Sequence, residues 1–432
     1  MTILQREYRD RREQVMAKIG HGTAIFRSAS HAIAHHDVEY PFRQNSDFYY
    51  LTGFNEPEAV AVLAPHHEEH RFVLFVQPKD PQKETWTGYR VGVDAAKEQY
   101  GADEVYPIDE LDEKLPQYLK DSDRIYYHIG NDTAFNQTIL KHWQRFIALY
   151  QKRGVGPVAI EDTNPILHPL RLVKTAAEIE LLRQATAISA EAHNQAQKFA
   201  QPGRYEYEVQ AEIERVFRAA GGLGPAYPSI VASGENACIL HYIENNRQIQ
   251  DGDLLLIDAG CSYGYYNGDI TRTFPVNGKF NKQQQALYEI VLEAQLKAIE
   301  EVQPGKPYNE FHDIAVCVIV QGLLDLGLLQ GDLEEIIKEE KYKPFYMHRT
   351  GHWLGLDVHD AGTYKHNEET WRPFQPGHVV TVEPGIYIGP HIEAAEDQPE
   401  VPPEWRGIGI RIEDDVLVTG DGHEVLTADV PK

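Results

Sequence analysis

The chain has 432 residues, 42% hydrophobic and 25% charged, a balance that suits two or three folded domains and excludes wholesale disorder. Its 41 Lys and Arg against 66 Asp and Glu give a net charge of −25, which excludes phosphate backbones and anionic bilayers as natural partners. Purely apolar runs such as 59–64 and 314–320 are six and seven residues long, far short of the roughly 20 that a membrane-spanning helix needs.

Residues 1–20 alternate Arg with Glu and Asp and contain no apolar core, so no secretory signal is expected there. The segments 59–64 and 71–77 are short, β-branched apolar runs closed by Pro and predict buried strands. Helix, strand and turn signals alternate through this part, which predicts an α/β lobe. The proline-rich stretch 154–169 reads as its end and a linker, giving domains at 1–170 and 171–432.

At Thr175 the texture changes. Thr175 and Glu178 form a capping box, followed by an apolar stripe through Ile179 and Leu182. A second helix follows Gln201-Pro202-Gly203, with Val209, Ile213, Val216 and Phe217 as its stripe. The triplet returns as Gln303-Pro304-Gly305, again after an Ala-rich helix and before Phe311, Ile314 and Val318. Two coincident helix stops would explain this; so would a duplicated helix–turn–helix, which predicts a pseudo-symmetric lobe with a site between its halves. Beyond Gly252, the segments 253–258, 263–273, 379–388 and 408–419 have strand composition. The three cysteines, Cys238, Cys261 and Cys317, fit neither a disulfide framework nor a CxxC metal site and are expected to be free in a reducing compartment.

Four of these strands carry an acid: Asp258, Asp269, Glu383 and Glu413. Alternation puts Arg411 and Glu413 on one face and Ile408, Ile410 and Ile412 on the other. A carboxylate inside an apolar strand must be solvated, paired or metal-bound, because an unpaired buried charge is very costly. Each alone reads as a strand end or ion pair; four together, near His348, His352 and His359, favour a site. His348 and His352 have the i, i+4 spacing of a helical zinc motif, but Gly351 and Gly355 oppose a helix and the motif's Glu is absent. One histidine with four carboxylates is a hard ligand set suited to Mn, Co or Zn. It is too large for one catalytic ion that keeps a water, so two ions sharing bridging carboxylates are expected, and with them hydrolysis.

The segment 348–360 matches at every defined position the histidine-rich motif of the Xaa-Pro aminopeptidase (aminopeptidase P) and prolidase family. The blocks 257–260, 267–273, 382–388 and 409–414 resemble that family's other metal-site blocks, in the same order. The segment 40–54 is similar to the opening block of aminopeptidase P proper. The resemblance implies an α/β N-terminal domain and an α+β pita-bread (creatinase/aminopeptidase-like) catalytic domain with pseudo-two-fold symmetry. It implies metal ligands at Asp258, Asp269, His352, Glu383 and Glu413, with Asp269 and Glu413 bridging two ions, Mn²⁺ ahead of Co²⁺ or Zn²⁺. His241 would contact substrate, His348 and His359 would line the proline side and stabilise the transition state, and Arg411 would orient ligands or substrate. Trp86 would be lent to a pocket or else be an ordinary surface aromatic.

The implied reaction removes the first residue from peptides with proline second, Glu383 moving the proton and His359 and His241 steadying the oxyanion. A prolidase acting on Xaa-Pro dipeptides, a non-catalytic peptide-binding protein and a creatinase-type hydrolase remain as alternatives. The sparse cysteines and lack of a signal sequence predict a cytoplasmic protein, and the resemblance implies a homodimer or homotetramer. The acidic loop 389–407 reads as a solvated surface or as a wall that attracts the substrate's ammonium.

Overall fold

The computed structural model describes residues 3–130 and 132–432, and it resolves into two compact units, Met1–Arg171 and Leu172–Lys432.

The first unit is built on a six-stranded mixed sheet. In chain order its strands are β1 (Thr23–Arg27), β2 (Val60–Leu63), β3 (Phe72–Val76), β4 (Glu104–Pro107), β5 (Ile125–Tyr126) and β6 (Ile160–Glu161); across the sheet they run β4-β3-β2-β1-β5-β6. The two apolar runs read from the sequence are the strands β2 and β3, buried at every position. Helices Leu111–Leu119 and Thr133–Arg153 set Leu115, Tyr118, Phe135 and Ile139 against Val60, Val62, Val73 and Phe75. The stretch 154–169 is not a bare linker. It supplies β6, at the sheet's edge, and most of helix Asn164–Leu172, whose Pro165 sits where a missing N–H costs nothing.

The second unit repeats one motif. Helix α1 (Ala176–Phe199) starts at the expected capping box, with Thr175 Oγ1 accepting from the Glu178 N–H and Glu178 accepting from the Thr175 N–H (2.9 Å). Helix α2 (Glu206–Ala219) buries its stripe of Val209, Ile213, Val216 and Phe217. The antiparallel strands β7 (Ile230–Ser233), β8 (Leu254–Asp258) and β9 (Thr271–Pro275) follow, in the order β7-β8-β9. Helices α3 (Lys282–Glu301) and α4 (Glu310–Asp325) then open the second half. It is completed by β10 (Val379–Val382), β11 (Gly385–Ile388), β12 (Ile408–Arg411), β13 (Asp414–Val418) and β14 (His423–Val425). Here β10, β13 and β14 form one antiparallel sheet and β11 and β12 a second pair.

Both Gln-Pro-Gly triplets lie between paired helices, and Gly203 and Gly305 turn the chain at φ 93° and 87°, where only glycine is comfortable. The lobe is therefore a duplicated helix–turn–helix with strands, the pita-bread architecture with pseudo-two-fold symmetry. Each helix pair covers its own strands: Val209, Ile213 and Phe217 pack with Leu255 and Ile257, and Leu287, Phe311 and Ile319 with Val380, Val416 and Ile410. Each such buried side chain contributes about 1.5–3 kcal/mol.

Three long strands read from the sequence are in fact broken. The run 263–273 is divided between the tail of a small hairpin, Cys261–Tyr263 with Tyr266–Asn267, and β9. The runs 379–388 and 408–419 each divide into two strands that belong to different sheets. Pro384 cannot donate to a ladder, so β10 stops and the chain re-pairs as β11. Val382 faces Asp414 and Gly385 faces Arg411, so the break at 383–384 lies opposite the break at 412–413. Composition hides the first break, because Val382 and Ile386 on its two sides are both apolar.

Candidate metal centre

The strand breaks place the acids. Asp258 ends β8 and Asp269 precedes β9, while Glu383 and Glu413 occupy the two facing breaks. The halves are stitched together here: the Glu413 N–H donates to the Thr271 carbonyl (3.0 Å), and Thr273 Oγ1 donates to the Arg411 carbonyl (2.9 Å). The segment 350–354 runs irregularly along β10, with Glu383 N–H on the Thr350 carbonyl (2.7 Å) and Thr381 N–H on that of His352 (3.0 Å). Gly351 is demanded by this approach, since a Cβ there would lie 1.9 Å from the Thr381 oxygen. His352 is thereby carried to the acids on an extended backbone, and no helix forms over 348–352.

Asp269, His352 and Glu413 each offer a donor atom within 4.8 Å of the other two. His352 Nε2 is 3.5 Å from Asp269 Oδ2 and 3.5 Å from Glu383 Oε1. Asp258 joins through the Tyr227 hydroxyl, which meets both Asp258 Oδ1 (2.6 Å) and Asp269 Oδ1. Thr271 Oγ1 donates to Glu413 Oε2 (2.6 Å). His352 Nδ1 faces the Trp353 carbonyl (3.1 Å), and an N–H there leaves the Nε2 lone pair aimed at the carboxylates, the tautomer a metal requires.

These four carboxylates are met by Arg411, whose Nη2 donates to Asp258 Oδ2 (2.6 Å). Burial and mutual repulsion push the acids up: Glu383 to about 7, Asp269 above its usual range, and Glu413 well above it. Burial pulls His352 down, but the Asp269 hydrogen bond and the charge of Glu383 outweigh it and raise it to about 9. A buried, oxygen-rich donor set with this surplus of negative charge fits divalent cations.

The remaining predicted residues surround this cluster on a cavity of about 450 Å³. His348 Nε2 meets the Tyr387 hydroxyl (2.8 Å), and burial and Arg411 hold it down near pKa 4. Arg411 Nη1 also donates to Tyr387 (2.9 Å), giving a chain Asp258–Arg411–Tyr387–His348. The rings of His359 and His352 are 4.2 Å apart, and burial lowers the His359 pKa. His241 reaches the cavity from the exposed loop after β7. Trp86 belongs to the first unit, 88% exposed on helix Pro81–Thr87. In the loop 389–407, Glu393, Glu396, Asp397, Glu400 and Glu404 are all exposed.

Sequence reasoning passed over Tyr227, Tyr387, Thr271 and Asp415. Aromatics and Thr in strands read as packing, and Asp415 lies inside the strand-like run 408–419, one residue past the block that carries the resemblance. In the structure Asp415 is wholly buried; its Oδ2 accepts the Asp269 N–H (2.9 Å), and its Oδ1 has no hydrogen-bond partner among the described residues.

Comparison with known proteins agrees with this geometry. Residues 180–420 match the model of metallopeptidase family M24, and residues 8–126 match the aminopeptidase P N-terminal domain. A Haemophilus influenzae Xaa-Pro aminopeptidase is 43% identical over 99% of this chain and 95% of its own length. The structure of the Pseudomonas aeruginosa aminopeptidase PepP superposes with a TM-score of 0.94 at 48% identity, covering 99% of this chain and 96% of that one. The zinc-substituted aminopeptidase P of E. coli, in complex with product, gives a TM-score of 0.94 at 42% identity, covering 100% and 97%.

Proposed function

This chain belongs to metallopeptidase family M24, and we propose that it releases the N-terminal residue of peptides whose second residue is proline. The observation that carries this reading is the convergence of Asp258, Asp269, His352, Glu383 and Glu413 in a lobe and chain arrangement shared along their length with Xaa-Pro aminopeptidases. In this reading those five side chains would hold two divalent ions, with Mn²⁺ the expected metal and Asp269 and Glu413 the residues that would serve both. Bound divalent ions would supply Lewis-acid polarisation of the scissile carbonyl and an acidified water.

The chain's own residues do the rest. Glu383, with Oε2 3.9 Å from His348 Nδ1, takes a proton from the attacking water and delivers it to the departing proline nitrogen. That nitrogen carries no hydrogen in the peptide, so recognition falls on the ring and not on an amide N–H. His348, fixed by Tyr387, lines the ring's side of the cavity. His359 and His241 donate to the oxygen that gains charge as the carbonyl is attacked. Arg411 bridges Asp258 and Tyr387, locking a ligand and the proline wall in one register.

The same reading carries a cytoplasmic homodimer or homotetramer. Among the described residues no helix is long and apolar enough to cross a membrane. The test is an assay of chelator-stripped protein, with and without Mn²⁺, on an Xaa-Pro-Yaa tripeptide and an Xaa-Pro dipeptide. Metal-restored cleavage of the tripeptide is expected. Cleavage confined to the dipeptide would make it a prolidase, and no cleavage with metal bound would make it a binding protein.

A further inference from the structure

The wall of the cavity beyond His348 carries a charge that the mechanism leaves unused. Arg349 is exposed and lines the same cavity as Glu383 and His348. Its Nη2 donates to the neutral Asn309 Oδ1, and its Cζ lies 5.4 Å from the Trp371 ring centroid. Lys365 approaches the same indole, Nζ 4.3 Å from its centroid, and donates to the Glu368 carbonyl (2.9 Å). Among the described residues neither cation forms an ion pair with a carboxylate. Asp313, on the neighbouring turn of α4, is held by the Asn309 amide (2.6 Å to each oxygen). The Arg349 charge is felt at Asp313, but in a chain with 66 acids two cations gathered on one aromatic platform with no carboxylate in direct contact are conspicuous.

Their position says what they face. His348 Nδ1 lies 3.9 Å from Glu383 Oε2, and Arg349, the next residue in the chain, lines the same cavity with its guanidinium beside Trp371. Extended peptide advances about 3.3 Å per residue. A substrate with its scissile carbonyl at the acids and its proline against His348 therefore brings its third residue to the Arg349–Trp371 wall. A guanidinium there matches a carboxylate through two parallel N–H donors, as a lysine could not.

We propose that Arg349, seconded by Lys365, is a specificity-determining residue that binds the free C-terminal carboxylate of short peptides, tripeptides above all. The proposal rests on the proline-peptidase reading given above. It makes the enzyme a finisher of small peptides and not an indiscriminate trimmer of long chains.

The test compares the metal-loaded enzyme on an Xaa-Pro-Yaa tripeptide with a free carboxylate and on the same tripeptide as its amide. The acid should show a KM about tenfold below that of the amide, a gap that shrinks with salt. Arg349→Leu should bring the two KM values together through loss on the acid, with kcat little affected, and Arg349→Lys should keep part of the gap. A hexapeptide, whose carboxylate lies beyond this wall, should show no gap. Equal KM values in the wild type, or a gap that survives Arg349→Leu, would overturn the proposal. If no proline peptide is cleaved, the functional reading fails on its own; calorimetry of the same acid and amide on the metal-loaded protein then decides here, equal Kd values overturning it.

Discussion

Glu413 and Asp414 are neighbours in sequence, both buried, and they live in opposite electrostatic worlds. Asp414 is neutralised by the protein itself. Its Oδ1 accepts from Arg272 Nη2 (2.8 Å) and Thr427 Oγ1 (2.6 Å), and its Oδ2 from Gln295 Nε2 (2.6 Å) and Lys432 Nζ (2.6 Å). Burial alone would raise its pKa, but Arg272 and Lys432 bring it below the usual range. Glu413 faces Asp269, Glu383 and Asp258 instead, and its carboxyl is driven well above that range by burial and then by those charges. A buried acid whose cation is built into the chain is architecture. A buried acid whose neighbours are other acids is a site awaiting a cation from outside.

The comparison is broken most forcefully at Asp269. Asp269→Asn should abolish binding of at least one divalent ion and lower kcat about a thousandfold, roughly 4 kcal/mol of barrier, measured by metal titration and by Xaa-Pro-Yaa hydrolysis. In the metal-free protein the same change should raise the melting temperature, because a repelled charge is removed. Asp414→Asn should do the reverse. It strands the buried guanidinium of Arg272 and should cost about 3–5 kcal/mol in chemical denaturation, with or without metal. Two adjacent regions of one lobe should thus respond to loss of an acid with opposite signs, and matching signs would erase the distinction.

Asp415 sharpens it. Its carboxyl accepts the backbone N–H of Asp269 while sharing that residue's acidic surroundings. Asp415→Ala should weaken metal affinity about 10- to 100-fold, read by calorimetry, through an Asp269 no longer held in place.

The smallest effect is in pH. Burial lowers His193 to about pKa 4, and His312 and His378 to about 3. Each enters the fold neutral, so below about pH 6.5 the unfolded chain takes up protons that the native one refuses. The share of the stability that these three histidines contribute is therefore complete above about pH 6.5 and declines as pH falls toward 4, by on the order of 1 kcal/mol per pH unit for each histidine. The acids raised at the metal centre pull the other way in the metal-free protein, so the readout is a difference: between pH 7 and 5 the wild type should lose about 1 kcal/mol per pH unit more than His312→Asn in chemical denaturation.

Much of this was legible in the sequence, for identifiable reasons. The strands β2 and β3 are apolar from end to end and could hardly be anything else. The capping box at Thr175 and the repeated Gln-Pro-Gly are local chemistry and fix local structure. The acids attract notice because they interrupt apolar strands. The breaks that bring them together were invisible, since Val382 and Gly385 pair with different strands although two residues separate them. The supporting shell was invisible for another reason. Tyr227, Tyr387 and Asp415 are ordinary residue types whose importance lies wholly in what they touch across the fold.

The cluster around Glu413 is short of positive charge, a deficit that two divalent ions would make good. Equilibrium titration of the chelator-stripped protein with Mn²⁺ tests it most directly. The account predicts two ions bound per chain, proton release on binding, and loss of binding in Asp269→Asn and Glu413→Gln but not in Arg349→Leu. Absence of divalent binding, or binding indifferent to Asp269 and Glu413, would contradict it.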